Sequence, residues 1–544
     1  MEKRLFLAIG LSVLVVWLWS ATVPAPKSRQ DGFNLPQTSE NKKDINALEI
    51  FKAPPLSSEP SAVLPETKGQ ISKKLEILDS EELTVEFSNV GATIDKVTIK
   101  KYNTALPITN ITAIHGYDNV LFTLDQISDN EISYSYDNGE IKITKSYSIE
   151  DSDDIIHSIV EVYNKSNMSK LINIESGGYV IEMSNLTKNG GDEAKANDRD
   201  KSLFEYVVHT DIDTFRKGGA FKFSDKEKRE GFGKVFWSGF RNRYFCALIK
   251  PQYDTKGYKI DPIDASNLRV GVEANEVAIL PQSSAHFDSI IYVGPEKTDV
   301  LKEYGFGFEK IKRYYRFGLF DGIAKIIDGL MGLIYKVIPN WGVCIILISV
   351  IIYFSMYPLT LKGMLSMKKM QALQPMIAAL KEKHKDNPQK MNKEMMGLYK
   401  EHKVNPVGGC FPMLLQMPVF IGLYQVLWRS VSFKGAGFLW IKDLSQPDRL
   451  FLFPFNIPLV GNEFNLLPII MIVVMFFQQK ISSKNMVITD PSQAAQQKMM
   501  TTIMPVFLGV IFYKFASGLT LYFTMFYFFS TFTQWKMSKV KKVA

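Results

Sequence analysis

The chain has 544 residues and a mass of 61.8 kDa, too long for one ordinary core, so two or more domains are expected. A mean hydropathy of −0.03 hides two unlike halves, rich in charge and β-formers up to residue 320 and in long apolar runs after it. Net charge is a modest +8, and the three cysteines (Cys246, Cys344 and Cys410) form no disulfide framework; without a Walker loop, GxSxG, GxGxxG or His/Cys metal spacing, the composition argues against nucleotide, hydrolase and metal chemistry.

In chain order, Lys3-Arg4 precedes an apolar run from Leu5 to Trp19, read as a retained transmembrane anchor over residues 1–20 with a cytoplasmic start, rather than a cleaved signal. Residues 21–70 are rich in Pro, Ser, Lys and Glu and show no apolar period, as expected of a flexible tether. Residues 71–305 read as an exported all-β sandwich. "LTVEFSN" alternates with Leu83, Val85 and Phe87 on one face, "EIKITKSYSI" and "DIIHSIVEVYNKS" follow, and Asp137-Asn138-Gly139 marks a turn. Its scattered carboxylates are read as a solvated face, and nothing in it looks catalytic. At 319–338 the period becomes helical, with Leu319, Ile323, Ile326, Ile327, Leu330, Leu333, Ile334, Val337 and Ile338 in one stripe, the pattern of an amphipathic interfacial helix.

Five apolar segments near spanning length follow: 341–359, 410–428, 464–479, 499–515 and 517–535. The segment after the first carries ten lysines from Lys362 to Lys403 against Glu382, Asp386, Glu394 and Glu401, and the tail 536–544 carries Lys536, Lys539, Lys541 and Lys542. Both belong in the cytoplasm, which puts the β-domain and the loop 429–463 outside and, with the anchor, makes six spans with both termini cytoplasmic. Residues 361–403 read as a cytoplasmic hairpin of two helices broken at Asn387-Pro388. Its apolar positions are rich in methionine (Met364, Met367, Met370, Met376, Met391, Met395, Met396), either ordinary packing or an adaptable contact surface. The spans hold Ser349, Tyr353, Thr360, Gln416, Gln478, Gln479, Thr520, Thr524, Ser530, Thr531 and Gln534. Polar groups at such depth face a wet cavity or bond to another helix. Gly408-Gly409 allows a sharp turn into the third span, and Pro418 lies inside it.

The stretches "KMQALQPMIAALKEK", "NKEMMGLYKEHKVNPVGGCFPMLLQMPVF", "LWIKDLS" and "MPVFLGVIFYKFASGLTLY" closely resemble the YidC/Oxa1/Alb3 membrane protein insertases over residues 320–540. The anchor, tether and β-domain before them look like the Gram-negative YidC form. The resemblance implies a polytopic α-helical membrane protein of the bacterial inner membrane, with a five-helix insertase core plus the N-terminal anchor and a periplasmic β-sandwich. It implies a non-enzymatic insertase and chaperone that places nascent membrane proteins into the lipid bilayer. It also implies a hydrophilic groove closed toward the outside, no cofactor or metal and no specific nucleic acid. The partners it implies are the Sec translocon (SecYEG, SecDF) and the ribosome or signal recognition particle system. Carried onto this chain, the groove falls on Ser349, Tyr353, Thr360, Gln416, Gln479, Thr520, Tyr522, Phe523, Thr524, Gln534 and Trp535, and hairpin contacts on Met364, Met367, Met370, Gln374, Pro375 and Met395. Family members in bacteria commonly carry an arginine in the first core helix, where the register of this chain puts Tyr353. Lys514 is the only charge inside the expected spans and the candidate replacement, but it sits about 13 Å deeper, beyond a lysine's reach of about 6 Å. The competing readings are a transporter or channel with a sensor domain, which the absence of Asp and Glu from the core spans disfavours, and a membrane-anchored glycan-binding β-domain.

Overall fold

The structure is a computed structural model that describes residues 72–539, apart from 151–153, 173–174, 183–202, 219–227, 265–266, 385–386, 403, 405–410, 458–460 and 484–496. The expected anchor, the tether, Gly408-Gly409 and the end of the basic tail lie outside the described residues.

Alternating apolar residues close a two-sheet sandwich. In one nine-stranded sheet, Leu75–Asp79, Leu83–Ser88, Thr93–Ile99 and Ile108–Ala113 lie side by side, followed by Glu175–Glu182, Asn267–Ala274, Thr255–Pro262 and Arg229–Phe232. The ten-stranded sheet runs from Thr214–Gly218 through Glu205–Thr210, Val235–Arg241, Phe245–Pro251 and Ser289–Pro295 to Ile155–Asn164, Ile141–Ile149, Glu131–Asp137 and Thr123–Ile127. Leu83, Val85 and Phe87 are each 0% exposed and meet Ile143, Tyr147, Val160 and Val162 of the facing sheet in one core. The middle strands of the larger sheet are buried on both faces, because Trp237, Cys246, Leu248 and Tyr292 are covered from outside by helix α1 (Thr298–Glu303) and the 3₁₀ turn Phe308–Ile311. Those strands therefore read as unbroken apolar runs.

Lys145 occupies an inward position of Ile141–Ile149 and is 0% exposed. Its Nζ donates to the carbonyls of Gly91 (2.8 Å), Ala92 (3.2 Å) and Thr112 (2.8 Å), and the Tyr147 hydroxyl donates to Ala92 O at 2.6 Å. Ala92 and Thr112 have φ of 45° and 66°, so the Lys145 amino group braces two left-handed backbone positions. Burial pushes Lys145 from 10.5 down to about 7, with Asp118 opposing. The unfolded chain then binds the proton between those two values while the folded chain does not, so β-domain stability should rise with pH from 7 to about 10. Hydrogen exchange along Ile141–Ile149 in the full-length protein measures this, and Lys145→Met should flatten the rise.

After residue 317 the chain is mainly helical, with one antiparallel strand pair, Phe451–Ile457 and Gly461–Phe464, before α7: α2 (Gly318–Val337), α3 (Trp341–Ala372), α4 (Gln374–Lys383), α5 (Pro388–Glu401), α6 (Phe411–Arg429), α7 (Leu466–Ser483), α8 (Met504–Phe512, preceded by a π turn at Met499–Ile503) and α9 (Ser517–Lys539). The first span was expected to stop at 359, ahead of a hairpin starting at 361. Instead α3 runs unbroken past Pro358 to Ala372, so span and first hairpin arm share one rod. Pro358 gives up its own N–H bond and crowds the carbonyl four residues earlier, yet the helix continues on both sides of it. The stripe of α2 splits in two. Ile323, Ala324, Ile327, Met331 and Ile334 pack on the bundle, with Gly422 of α6 close enough that a Cβ there would lie 3.0 Å from Ile323 and 3.2 Å from the Ala324 nitrogen. Leu319, Ile326, Leu330, Leu333 and Val337 remain exposed. Among the described residues one helical segment, Trp341–Ser366, is both long and apolar enough to cross a membrane, while Leu466–Ser482 and Thr501–Phe512 are shorter apolar helices.

The sandwich is joined to the bundle through Arg241, which is 1% exposed. Its Nη1 donates to Ile311 O (2.9 Å) and Arg313 O (3.2 Å). Its Nε lies 2.9 Å from Glu296 Oε2 but is poorly aimed, an ion pair rather than a hydrogen bond. Arg243 Nε donates to Trp428 O at 2.7 Å, and Val431 packs into the sandwich core.

Candidate functional site

The polar residues of the bundle fall on α3, α6, α7 and α9. On α3, Cys344, Ile345, Ile348, Ser349, Ile352 and Tyr353 share the inward face by i, i+4 spacing. Ser349 is fully buried and donates to Ile345 O at 2.6 Å. Tyr353, 3% exposed, donates to Thr533 Oγ1 at 2.7 Å and lies among the rings of Phe526 and Phe529. Tyr353 is thus an interhelical bond between α3 and α9. Thr360 is half-buried and bonds back to Met356 O at 3.0 Å.

On α9, Thr520 and Thr524 are buried and bond back to Ala516 O (3.3 Å) and Thr520 O (2.8 Å), which lets a hydroxyl sit in an apolar helix without an orphan donor. Tyr522 is buried, with the Gln416 side chain of α6 hydrogen-bonded to its hydroxyl. Phe523 packs on Phe420 and Phe512. Gln479 and Gln534 are half-buried and Trp535 is exposed. Burial therefore places Ser349, Tyr353, Thr520, Tyr522 and Thr524 in the interior, leaves Thr360, Gln416, Gln479, Phe523 and Gln534 half-buried, and exposes Trp535. Three amide oxygens, of Gln425, Gln478 and Gln534, are buried without a protein partner. Gln425 was not among the expected groove residues, although its place on α6, nine residues after Gln416, is visible in the sequence.

Lys514 lies in the turn between α8 and α9 and is exposed, so its charge sits at a helix end rather than inside the bundle. This end of the bundle is tied by hydrogen bonds. Asp448 Oδ2 accepts from Leu466 N (2.8 Å), Leu467 N (2.9 Å) and Trp440 Nε1 (3.1 Å), capping α7. Ser517 N and Gly518 N donate to Gln446 O (2.7 Å) and Leu444 O (2.9 Å), so the same loop caps α9.

In the hairpin, Met370 and Met395 pack on a small core of Leu373, Ile377 and Val404. Met364 and Gln374 are half-buried, and Pro375 is exposed in the first turn of α4. Met376 and Met396 are exposed, so part of the methionine content does face outward. Met367 falls in α3, but its side chain lies outside the described residues. His384 Nε2 and Glu394 Oε2, 3.0 Å apart, join α4 to α5.

Residues 118–328 match the family model described as the YidC periplasmic domain, and residues 333–543 match the 60Kd inner membrane protein model. The membrane protein insertase YidC of Geobacter metallireducens is 30% identical over 550 residues, covering 96% of this chain and 95% of that protein. The chain belongs to the YidC family. YidC of Prosthecochloris aestuarii is also 30% identical, over 99% of this chain and 95% of its own. An active YidC insertase crystal structure with the first transmembrane domain resolved aligns with a TM-score of 0.38 at 17% identity, over 87% of this chain and 94% of that one. The join between the two YidC family matches, at residues 328–333, falls inside α2.

Proposed function

We propose that this protein is a membrane protein insertase and chaperone that places nascent inner-membrane proteins into the bilayer without chemistry of its own. The observation that carries this is similarity to YidC insertases along nearly the whole of both chains. The geometry supports a wet groove. Three helices each bury an amide oxygen with no protein partner, and such oxygens are costly in hydrocarbon unless water or a passing polar segment meets them. Asp and Glu are absent from α3, α6, α7, α8 and α9. The amides of Gln425, Gln478 and Gln534 are polar and uncharged, and side chains of that kind lower the cost of carrying a hydrophilic tail partway across.

In this reading α3, α6, α7, the segment 499–515 that contains α8, and α9 span the membrane, the β-domain is periplasmic, the methionine-bearing hairpin α4–α5 is cytoplasmic, and the exposed side of α2 rests in the outer leaflet. The Sec translocon, and the ribosome or signal recognition particle system, are its expected partners on family resemblance. The test is complementation of a bacterial cell depleted of its insertase, together with insertion of a small single-span protein into liposomes holding the purified chain. Restored growth and protease-protected substrate are expected; liposomes that insert no more than empty ones would overturn the reading.

A further inference from the structure

Where the sandwich meets the start of α2 there is a cavity of about 500 Å³, within the size range of small-ligand sites. Arg216, Lys217, Arg313, Arg316 and Arg429 line it, with Glu205 as the one lining carboxylate. Glu205 is already engaged, its Oε2 lying 3.2 Å from Arg216 and 3.6 Å from Arg241. Arg313 donates to the carbonyls of Tyr315 (3.0 Å) and Arg316 (2.6 Å). Arg429 donates Nη1 to Tyr314 O at 3.0 Å, while its Nε is buried without a partner. Among the described residues, no carboxylate forms an ion pair with Arg313, Arg316 or Arg429. Asp321, close in sequence, is occupied by the N–H groups of Tyr314 (2.7 Å) and Tyr315 (3.3 Å) and by Lys325 (2.9 Å). Burial pushes the Arg216 guanidinium below its ordinary value; Glu205 opposes this, and Arg241 and Arg313 add to it. Among the described residues, then, Arg313, Arg316 and Arg429 bring the cavity positive charge that no carboxylate pairs.

Its place narrows the ligand. Arg316 is followed at once by exposed Phe317 and Leu319, and then by the exposed apolar residues of α2. Guanidinium groups bind phosphate oxygens through paired, charge-assisted N–H bonds, and here they stand beside side chains that suit acyl chains. We propose that this cavity binds the phosphate of an anionic phospholipid headgroup in the outer leaflet. The assignment rests on α2 lying in that leaflet, as in the reading above. A bound headgroup would fix the height of the sandwich–bundle junction at the membrane surface.

The test uses the full-length protein in neutral detergent, titrated with phosphatidylglycerol or with phosphatidylethanolamine of the same acyl chains and read by native mass spectrometry. Phosphatidylglycerol is expected to be retained preferentially. Arg316→Gln and Lys217→Gln should each weaken it about fivefold, and the pair about 25-fold. Arg316→Lys with Lys217→Arg keeps the charge and should restore binding, which separates lost charge from lost folding. Arg316→Gln alone changes an exposed side chain and serves if the double variant does not fold. Equal retention of the two lipids, or variants that bind as the wild type does, would overturn the proposal. So would displacement of the lipid by inorganic phosphate at equal concentration, which marks a site for free phosphate, or by hexaglutamate, which marks a site for an acidic polypeptide. Binding is read without substrate, so a protein that binds this lipid but inserts nothing refutes the insertase reading and leaves the lipid site standing.

Discussion

Arg241→Ala is expected to destabilise the protein by about 3–5 kcal/mol, the usual cost of removing one partner from a buried ion pair. The loss has two sources. Glu296, 7% exposed, is left buried without the guanidinium 2.9 Å away. The carbonyls of Ile311 and Arg313 lose their donor, and with them the chain between the sandwich and α2 loses its hold on the sheet. Arg216 still reaches Ile311 O at 3.0 Å, so that carbonyl is only partly orphaned and the Arg313 carbonyl bears the larger loss. Arg241→Lys keeps the charge but has one nitrogen where the guanidinium uses two, and should recover less than half the loss. Thermal unfolding in detergent gives the magnitude, and trypsin cutting within residues 308–317 locates it. The exposed pair Lys234–Asp254, at 3.1 Å, is the control: Lys234→Ala should shift stability by less than about 0.5 kcal/mol. If Arg241→Ala is as stable as that control, the junction is held by its other contacts, such as Arg243 to Trp428 O, Arg429 to Tyr314 O and the packing of Val431.

Much of the sandwich was legible because a half-buried strand writes its burial every second residue. The alternation that placed Leu83, Val85 and Phe87 inside also places Lys145 in phase with Ile141, Ile143, Tyr147 and Ile149. Nothing else in the sequence singles out that lysine, although its phase puts it inward. Arg241 ends the strand "VFWSGFR", whose two-sided burial comes from α1 and a 3₁₀ turn more than fifty residues later, which no local pattern reports. The helical half was legible as five apolar segments, of which one helix, Trp341–Ser366, is by itself both long and apolar enough to cross among the described residues. Ser517–Lys539 is long enough to cross, yet its Thr, Ser, Tyr and Gln residues lower its hydropathy. The residues that make a wall polar are the ones that weaken the signal of a span. The interior of the bundle was legible only as a list of polar residues. Which of them bond across helices depends on contacts such as Tyr353 to Thr533, 180 residues apart.

That contact carries the second large effect. Tyr353 stands where the family resemblance leads one to look for an arginine, and the ring is enclosed. Phe526 and Phe529 lie 5.9 and 5.8 Å away, centroid to centroid, and Phe354 and Tyr357 lie 5.8 and 6.5 Å away on its own helix. Tyr353→Ala should therefore cost about 3–5 kcal/mol, as for an aromatic side chain removed from a packed core, and should loosen α3 from α9. Tyr353→Phe removes only the hydroxyl and should cost about 1 kcal/mol, with insertion close to wild type. Tyr353→Arg keeps the bulk but buries a cation, and Asp and Glu are absent from these helices. It should destabilise more than Tyr353→Phe unless the guanidinium reaches water, and that exception makes it informative. If the arginine variant is stable and inserts substrates with acidic tails better than the wild type does, position 353 opens onto a hydrated groove. If it is unstable while Tyr353→Phe is not, Tyr353 is a bond between two walls. Melting temperature and insertion of an acidic-tailed against a neutral-tailed substrate, measured on the same three variants, separate these outcomes. The burial of Tyr353 and its short bond to Thr533 favour the second, with the polar work of insertion falling to the neutral side chains of α6, α7 and α9.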